Sequence, residues 1–189
     1  MTWKGIPRNI SEHFDYAIQR MKYYQLNGLF IYIFNKIYCD LTGIPVLKYS
    51  EVLPNLYVGC QYGQLGKKRL AKLGIKATIN LRIEFDDKLH ELNFQHYCYL
   101  PTKDRFAPTL DQLMLGVNFI KSNLADQNKV YIHCRSGIGR APTLAIAYLI
   151  YIGCDLDGAI EIVRLRRPFI FLEIPQQEML VQFQKLHAI

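Results

Sequence analysis

Residues 130–150 read VYIHCRSGIGRAPTLAIAYLI and contain the pattern that decides the fold. The β-branched and aromatic run at the start predicts a strand, and the apolar run that begins at Arg140 predicts a long buried helix. Between them the glycines predict a tight loop, with positive φ angles and close backbone approach expected at Gly137 and Gly139. The stretch is therefore interpreted as a strand, a loop and a helix.

The loop from His133 to Arg140 predicts a binding site for an anion. Backbone N–H groups that curl before the first turn of a helix point inward, at the positive end of the helix dipole. Cys134 lies at the base of this loop, where such surroundings favour a nucleophilic thiolate. Arg140 follows six residues later, and its planar guanidinium can hold two phosphate oxygens at once. These residues predict transfer of a phosphoryl group to Cys134.

HCRSGIGR matches the HC-x5-R signature of the protein tyrosine phosphatase superfamily and resembles its dual-specificity branch. VLPNLYVG and ATINLR are similar to that family's first strand and to the strand after its first helix, and the resemblance extends from Glu51 to Ile189. It implies an α/β fold with a central, mainly parallel sheet flanked by helices. It also implies hydrolysis of phosphate monoesters, with phosphotyrosine and phosphoserine or phosphothreonine as the first expected substrates.

The resemblance further implies a proton donor, which in this family is an Asp on a mobile loop roughly 30 residues before the cysteine. Asp104 in LPTKDRFAPT occupies that place, with Asp86, Asp87 and Asp111 as competitors. Asp104 would protonate the leaving oxygen and then act as base on the water that attacks the phosphocysteine. Neither a metal ion nor another cofactor is expected.

The remaining site residues belong to the loop and its surroundings. His133 is expected to orient the loop and to act on Cys134 from behind, although a lone histidine at a strand end is more often structural. Gln176 is expected to contact the loop or its water, against the alternative of an ordinary surface glutamine. The residues expected to bind the substrate are Arg135, Ser136, Gly137, Ile138, Gly139 and Arg140.

Ala141 departs from the family pattern. Most relatives have Ser or Thr directly after the loop arginine, where the hydroxyl assists departure of the thiolate. GRAP is similar to the phosphatases of regenerating liver, which share this alanine, so slow hydrolysis of the phosphocysteine is expected. A low-turnover regulator that binds phosphorylated partners is therefore an alternative function.

A second resemblance concerns the substrate. PTKDRFAP and RRPFIFLEIPQQ look like the mitochondrial phosphatidylglycerophosphate phosphatases and their plant relatives, so a phospholipid or inositol phosphate is an alternative substrate. Ile138 argues against it, since phosphoinositide-type members often have a second basic residue in the loop. Rhodanese-like sulfur transfer also uses a loop cysteine, but the placement of Asp104 and the GxGR sequence argue against it.

The composition limits the other classes. The 189 residues, half of them apolar, suffice for one folded domain. Five cysteines without CxxC spacing indicate neither a zinc site nor a disulfide framework, and no signal-peptide pattern opens the chain, so a cytoplasmic location is expected. The net charge of +7 favours an anionic partner, and charge alone does not distinguish nucleic acid, an acidic membrane surface and a phosphorylated substrate. With the loop chemistry in view, no nucleic-acid partner is expected.

Residues 1–45 are predicted to form a helical extension before a phosphatase domain of residues 46–189. Two helices are expected there, over residues 10–24 with the Asn27-Gly28 pair at the end, and over residues 29–41. The second is too short to span a bilayer, which needs about 20 apolar residues. It is expected to pack on the domain or, as the alternative, to touch an anionic membrane beside Arg20, Lys22 and Lys36.

From Tyr49 onward, short β-like runs alternate with helical ones, which predicts parallel strands joined by helices. Strands are expected at residues 56–58, 76–82, 96–100 and 130–133. Helices are expected at residues 66–73, 109–123, 140–152, 156–166 and 175–187.

Overall fold

The fold is built on one five-stranded sheet, seen in a computed structural model that describes residues 26–187. The strand order is β1-β2-β5-β3-β4. β1 pairs antiparallel with β2, and the other neighbouring strands are parallel. The expected mainly parallel sheet is therefore confirmed. The strands are β1 (Glu51–Leu53), β2 (Leu56–Gly59), β3 (Ile75–Arg82), β4 (His96–Thr102) and β5 (Lys129–His133).

Helices cover both faces of this sheet, as predicted. Within residues 26–187 they are α1 (Leu26–Thr42), α2 (Gln64–Leu73), α3 (Leu110–Ala125), α4 (Arg140–Tyr151), α5 (Leu156–Arg166) and α6 (Ile174–His187). Helices α3 to α6 lie with the main hydrophobic core on one face, and α2 lies on the other. Short 3-10 helices form at Leu47–Tyr49 and at Asp87–His90.

Local sequence explains the helices that position the loop. Residues 140–150 of α4 are all buried, because this helix packs on the sheet and between α3, α5 and α6. Pro142 lies in its first turn, where proline costs no hydrogen bond. Helix α3 begins with a capping box, in which the Thr109 hydroxyl accepts from the Gln112 N–H at 3.2 Å and the Gln112 side chain accepts from the Thr109 N–H at 2.9 Å.

The segments around α1 and β1 agree only in part with the predictions from the sequence. The short edge strand β1 was not predicted, since three residues give too little alternation to detect. The predicted helix over residues 29–41 is confirmed as α1, but Asn27 and Gly28 lie inside it instead of ending a helix. The helix predicted over residues 10–24 lies outside the described residues.

Helix α1 packs beside the loop that follows β5. Its residues Leu29 and Tyr32 contact Phe169 and Phe171, in a small hydrophobic cluster that also includes Ile138 of the loop. Helix α1 therefore borders the loop that the sequence singled out. No helix within residues 26–187 is long and apolar enough to cross a membrane.

Candidate active site

The loop of residues 134–139 connects the central strand of the sheet to the start of α4. β5 lies between β2 and β3, so its carboxyl end opens at the middle of the sheet edge. In open α/β sheets this edge is where ligands bind. The side chain of Cys134 is 3% exposed at the base of the loop.

Two glycines give the loop its shape, each for a different reason. Gly137 has a φ of 66°, and its N–H lies 3.3 Å from the Cys134 Sγ. A Cβ on Gly137 would lie 2.4 Å from the Gly59 carbonyl oxygen. The prediction of a positive φ at Gly139 is wrong, since the φ of this residue is −124°. Gly139 is needed for space instead, because a Cβ there would lie 3.0 Å from the Gln176 Oε1.

Arg167 holds the loop from behind. Its Nε donates to the Gly137 carbonyl at 2.5 Å, its Nη2 to the Ser136 carbonyl at 3.2 Å and its Nη1 to the Tyr49 carbonyl at 2.8 Å. Burial lowers the pKa of Arg167 against the opposing effect of nearby thiols. Since two loop carbonyls are fixed outward, the N–H sides of those peptides face the cavity. Sequence reasoning missed Arg167, although a charged residue directly before the apolar run PFIFL was a signal.

Arg140 is fully buried at the start of α4 and fixed on one side. Its Nη1 donates to the Thr102 carbonyl at 2.8 Å and to the Glu84 Oε2 at 2.9 Å, and its Nη2 donates to the Glu84 Oε1 at 3.0 Å. The Nη2 also lies 3.0 Å from the Asp104 Oδ1. Its buried Nε has no hydrogen-bond partner within residues 26–187. The Nε is therefore the donor of the guanidinium that remains for an anion.

Glu84 stabilises the charged form of this arginine. Burial acts to raise the pKa of Glu84, but hydrogen bonds from Arg140 and Arg82 outweigh it and bring that pKa to about 2. Burial disfavours the charged guanidinium of Arg140 in turn, but Glu84, Cys134 and Asp104 outweigh this effect and raise its pKa. Glu84 was not predicted. The signal was a carboxylate two residues beyond the end of β3, at the same sheet edge as the loop.

Asp104 is the aspartate at the cavity wall, which also includes the carboxylate of Glu173. It lies in the loop after β4, its side chain is 69% exposed, and it lines the same cavity as Cys134. The competitors are placed elsewhere: Asp86 accepts from the Tyr97 hydroxyl at 2.7 Å, and Asp111 lies in the exposed first turn of α3. Asp87 is fully buried. Of the four aspartates, the geometry favours Asp104 as the proton donor.

His133 and Asp87 form a buried pair beneath the loop. The His133 Nε2 lies 2.7 Å from the Asp87 Oδ2, and Asp87 also accepts from the Gln61 Nε2 at 2.9 Å and from the Tyr62 hydroxyl at 3.2 Å. Burial acts to raise the pKa of Asp87, but the charge and hydrogen bond of His133 outweigh it and lower that pKa. An ionised Asp87 fixes the orientation of His133, which agrees with a positioning role behind Cys134.

Gln176 is fully buried and not a surface glutamine. Its Nε2 donates to the Phe106 carbonyl at 3.1 Å, and its Oε1 accepts from the Glu173 N–H at 3.0 Å. Phe106 belongs to the loop that carries Asp104, so Gln176 ties this loop to the start of α6. It also borders the cavity next to Gly139.

Ala141 is buried in the first turn of α4, directly after Arg140. The nearest hydroxyl along the helix is that of Thr143, which donates to the Gly139 carbonyl at 3.0 Å. This hydroxyl is therefore engaged with the backbone and does not take the place of the Ser or Thr that Ala141 replaces.

These side chains enclose a cavity of about 200 Å³. Its wall includes Tyr32 of α1, which sequence reasoning did not place at the site because α1 lies about a hundred residues before the loop. Gly137 is not among the lining residues, but its N–H lies on the inner side of the loop, 3.3 Å from the Cys134 Sγ, and its contact with substrate stays a prediction. The other lining residues are Asp104, Arg105, Cys134, Arg135, Ser136, Ile138, Gly139, Arg140, Phe171, Glu173 and Gln176.

Comparison with known proteins places this fold in the class of dual-specificity phosphatases. Residues 56–186 match the family model described as "Dual specificity phosphatase, catalytic domain", and the chain belongs to that family. The expected family and fold are confirmed. The match begins beyond α1, so helix α1 lies outside the part of the chain that defines the family.

Individual relatives come from two groups. Phosphatidylglycerophosphate phosphatase PTPMT2 of Arabidopsis thaliana is 32% identical over 126 residues, which are 64% of this chain and 55% of that protein. Human dual specificity protein phosphatase 16 is 34% identical over 126 residues, 64% of this chain and 18% of that protein. The crystal structure of PTPMT1 is 25% identical with a TM-score of 0.65, covering 72% of this chain and 94% of the other. The chain spans about half or less of the length of these two curated relatives.

Proposed function

We propose that the chain hydrolyses phosphate monoesters through a phosphocysteine intermediate at Cys134. The observation that carries this proposal is the shared cavity, which is lined by Cys134, Arg140 and Asp104. The role of each residue follows from its contacts.

Substrate binding would use the inward N–H groups of the loop and the free Nε of Arg140. The phosphate oxygens would also need the Nη2 position that Asp104 now occupies at 3.0 Å. An arriving phosphate therefore has to displace Asp104, which releases this carboxylate to meet the leaving group. Glu84 keeps the other edge of the guanidinium fixed during this exchange.

In the first step Asp104, which takes up a proton from water after it leaves Arg140, gives this proton to the ester oxygen while the Cys134 thiolate attacks phosphorus and the bond from phosphorus to that oxygen breaks. In the second step water attacks phosphorus, Asp104 takes a proton from the water, and the cysteine leaves as thiolate. Gln176, beside both the loop and the Asp104 loop, is suited to position this water. Because Ala141 offers no hydroxyl to the departing thiolate, we expect the second step to be slow.

A phosphorylated protein is the first substrate that we propose, supported by the match to the dual specificity phosphatase family and by the similarity to human dual specificity protein phosphatase 16. A phospholipid is the second, supported by the resemblance to the Arabidopsis thaliana phosphatidylglycerophosphate phosphatase. Peripheral contact of residues 1–45 with an anionic membrane belongs to this second alternative. A low-turnover regulator that retains phosphorylated partners is the third, supported by Ala141.

Phosphate release from a panel of phosphopeptides, phosphoinositides and phosphatidylglycerophosphate separates these alternatives. The wild-type chain is compared with Cys134→Ser and with Asp104→Ala, and Asp111→Ala is the control aspartate outside the cavity. We expect Cys134→Ser to release nothing and Asp104→Ala to lose about 10²- to 10⁴-fold in rate. The substrate from which phosphate is released fastest then identifies the substrate class of the enzyme. A wild-type chain that binds phosphopeptide but releases no phosphate from any substrate would leave only the regulator.

A further inference from the structure

Helix α1 has two faces of different character. Its inner face is buried or half-buried and contains Leu29, Tyr32, Asn35 and Cys39. Leu29 and Tyr32 pack with Phe169, Phe171 and the loop residue Ile138, and Tyr32 forms part of the cavity wall. This face accounts for how the helix is held on the domain.

The outer face of α1 is apolar and exposed. Its residues are 43% to 81% exposed, and they recur at the three- and four-residue spacing of one helix face, Phe30, Ile33, Phe34, Ile37 and Leu41. Single exposed apolar side chains are ordinary, but five that adjoin on one helix form a patch of the kind found at interaction sites. We call these five residues the outer stripe.

Exposed cations after α1 and on the cavity loops favour an anionic partner. The acidic residue of α1, Asp40, is neutralised by its ion pair with Lys36. Lys48 is exposed shortly after the helix, and Lys103 and Arg135 are exposed on the two loops that form the cavity. The whole chain has a net charge of +7, so a second copy would bring a surface of the same sign.

We propose that α1 binds the surface of an anionic lipid bilayer through the outer stripe. A helix with one apolar face and basic surroundings lies in the plane of the interface, with its apolar side chains among the acyl chains and its cations at the headgroups. Helix α1 fits this arrangement, since it is too short to span the bilayer and its inner face is already occupied by the domain.

This binding mode has a consequence for the active site. The diameter of a helix with its side chains is about 10 Å, so Tyr32 on the inner face and the cavity that it borders lie within that distance of the bound surface. Phosphate monoesters at the membrane surface would therefore be presented to Cys134 at high local concentration. This step rests on the proposed phosphatase function, whereas binding of the bilayer does not.

Co-sedimentation of the full chain with vesicles tests the proposal. Vesicles of phosphatidylcholine with about 30% phosphatidylserine are compared with phosphatidylcholine alone, at low and high salt. The variant is Phe30→Ser with Phe34→Ser, and the matched control is Leu89→Ser with Leu186→Ser, which alters two exposed leucines outside α1. We expect the wild-type chain to bind the anionic vesicles, the stripe variant to bind about tenfold or more weakly, and the control to bind as the wild type does.

Several results would overturn the assignment. One is a wild-type chain that does not sediment with anionic vesicles, or that sediments equally with neutral ones. A stripe variant that binds as well as the control would do so too. Dissociation of a dimer by the stripe substitutions would assign the stripe to a second copy. If the wild type does not bind vesicles and the stripe variant is less thermally stable, the outer stripe would be assigned to contact with residues 1–25.

Two further measurements separate this proposal from the proposed function. Cys134→Ser should bind vesicles as the wild type does, because the thiol takes no part in membrane contact. Turnover of p-nitrophenyl phosphate in solution should be unchanged in the stripe variant. Turnover of a phosphate monoester in the vesicle surface should fall with binding. Vesicle binding without turnover of either substrate would refute the phosphatase function and leave the membrane contact standing.

Discussion

At the scale of single residues, Arg140 shows how the site is prepared before a substrate arrives. Glu84 and the Thr102 carbonyl fix one edge of the guanidinium, and its Nε is left for a phosphate oxygen. Because the guanidinium does not have to be oriented when the substrate binds, little binding energy is spent on ordering it.

Glu84 predicts a pH dependence of stability. Its pKa in the folded chain is about 2, below the ordinary value of 4.5. A carboxyl with a lowered pKa stabilises the fold above its ordinary value, and this contribution is lost as the pH falls from 4.5 toward 2. We expect Glu84→Gln to flatten the fall in unfolding free energy between about pH 5 and about pH 3, measured by denaturant titration. The exposed Glu178→Gln serves as control, and parallel curves for Glu84→Gln and wild type would contradict the account.

Ala141 predicts which step limits turnover. A serine at this position would place a hydroxyl where the departing thiolate can accept a hydrogen bond, so we expect Ala141→Ser to raise the steady-state rate without enlarging the initial burst. Stopped-flow kinetics with p-nitrophenyl phosphate separates the two phases. Ala141→Gly, which also changes the helix but adds no hydroxyl, should not accelerate the steady state. An unchanged steady-state rate in Ala141→Ser would mean that another step is limiting.

At the scale of elements, the loop of residues 134–139 depends on a segment that follows α5. Arg167 bonds the Ser136 and Gly137 carbonyls and also the Tyr49 carbonyl, so one buried side chain joins three parts of the chain. The loop is therefore stabilised by tertiary contacts and not by its own glycines alone.

Replacement of Arg167 tests this dependence. Arg167→Met keeps much of the volume but removes the three donors, and we expect a loss of about 3 kcal/mol or more in unfolding free energy. Phosphate should also bind more weakly, because the loop N–H groups are no longer held inward. Arg166→Met, at an exposed neighbour, is the control for both measurements. A stable Arg167→Met variant with normal phosphate affinity would show that the loop holds its shape unaided.

The loop that carries Asp104 predicts opposite effects on binding and on catalysis. Asp104 occupies the Nη2 of Arg140, so a bound phosphate competes with it. We expect Asp104→Ala to bind inorganic phosphate or vanadate a few times more tightly, by about threefold to tenfold, because the competing carboxylate is gone. Its turnover should fall as described for loss of the proton donor. Competitive inhibition constants report the binding, and weaker inhibition in Asp104→Ala than in the wild type would contradict the exchange.

At the scale of the whole molecule, strands β2 to β5 and the loop after β5 could be predicted from the sequence because they depend on local patterns. The run from Val130 to Ile150 alternates strand, loop and helix signals within 21 residues, and the loop chemistry falls between them. Cys134 and Arg140 were predicted from their spacing and Asp104 from the family resemblance, and the structure places all three at one cavity.

Other parts of the site could not be read in this way because they arise from distant contacts. Glu84, Arg167 and Tyr32 come from three separate regions and meet only when the sheet has formed. Gly139 shows the same limit, since its need for space comes from Gln176 on α6. The division of the chain at residue 45 remains a prediction, although Tyr32 at the cavity wall shows that the N-terminal segment contributes to the site.

The central claim, that Cys134 takes up the phosphoryl group, is tested most directly by intact-mass spectrometry after rapid acid quenching. The wild-type chain is mixed with p-nitrophenyl phosphate and quenched during the slow phase. The account predicts a species heavier by one phosphoryl group, with the modification mapped to Cys134 and absent from Cys134→Ser. Phosphate release by the wild type without any such species, or equal release by Cys134→Ser, would contradict it.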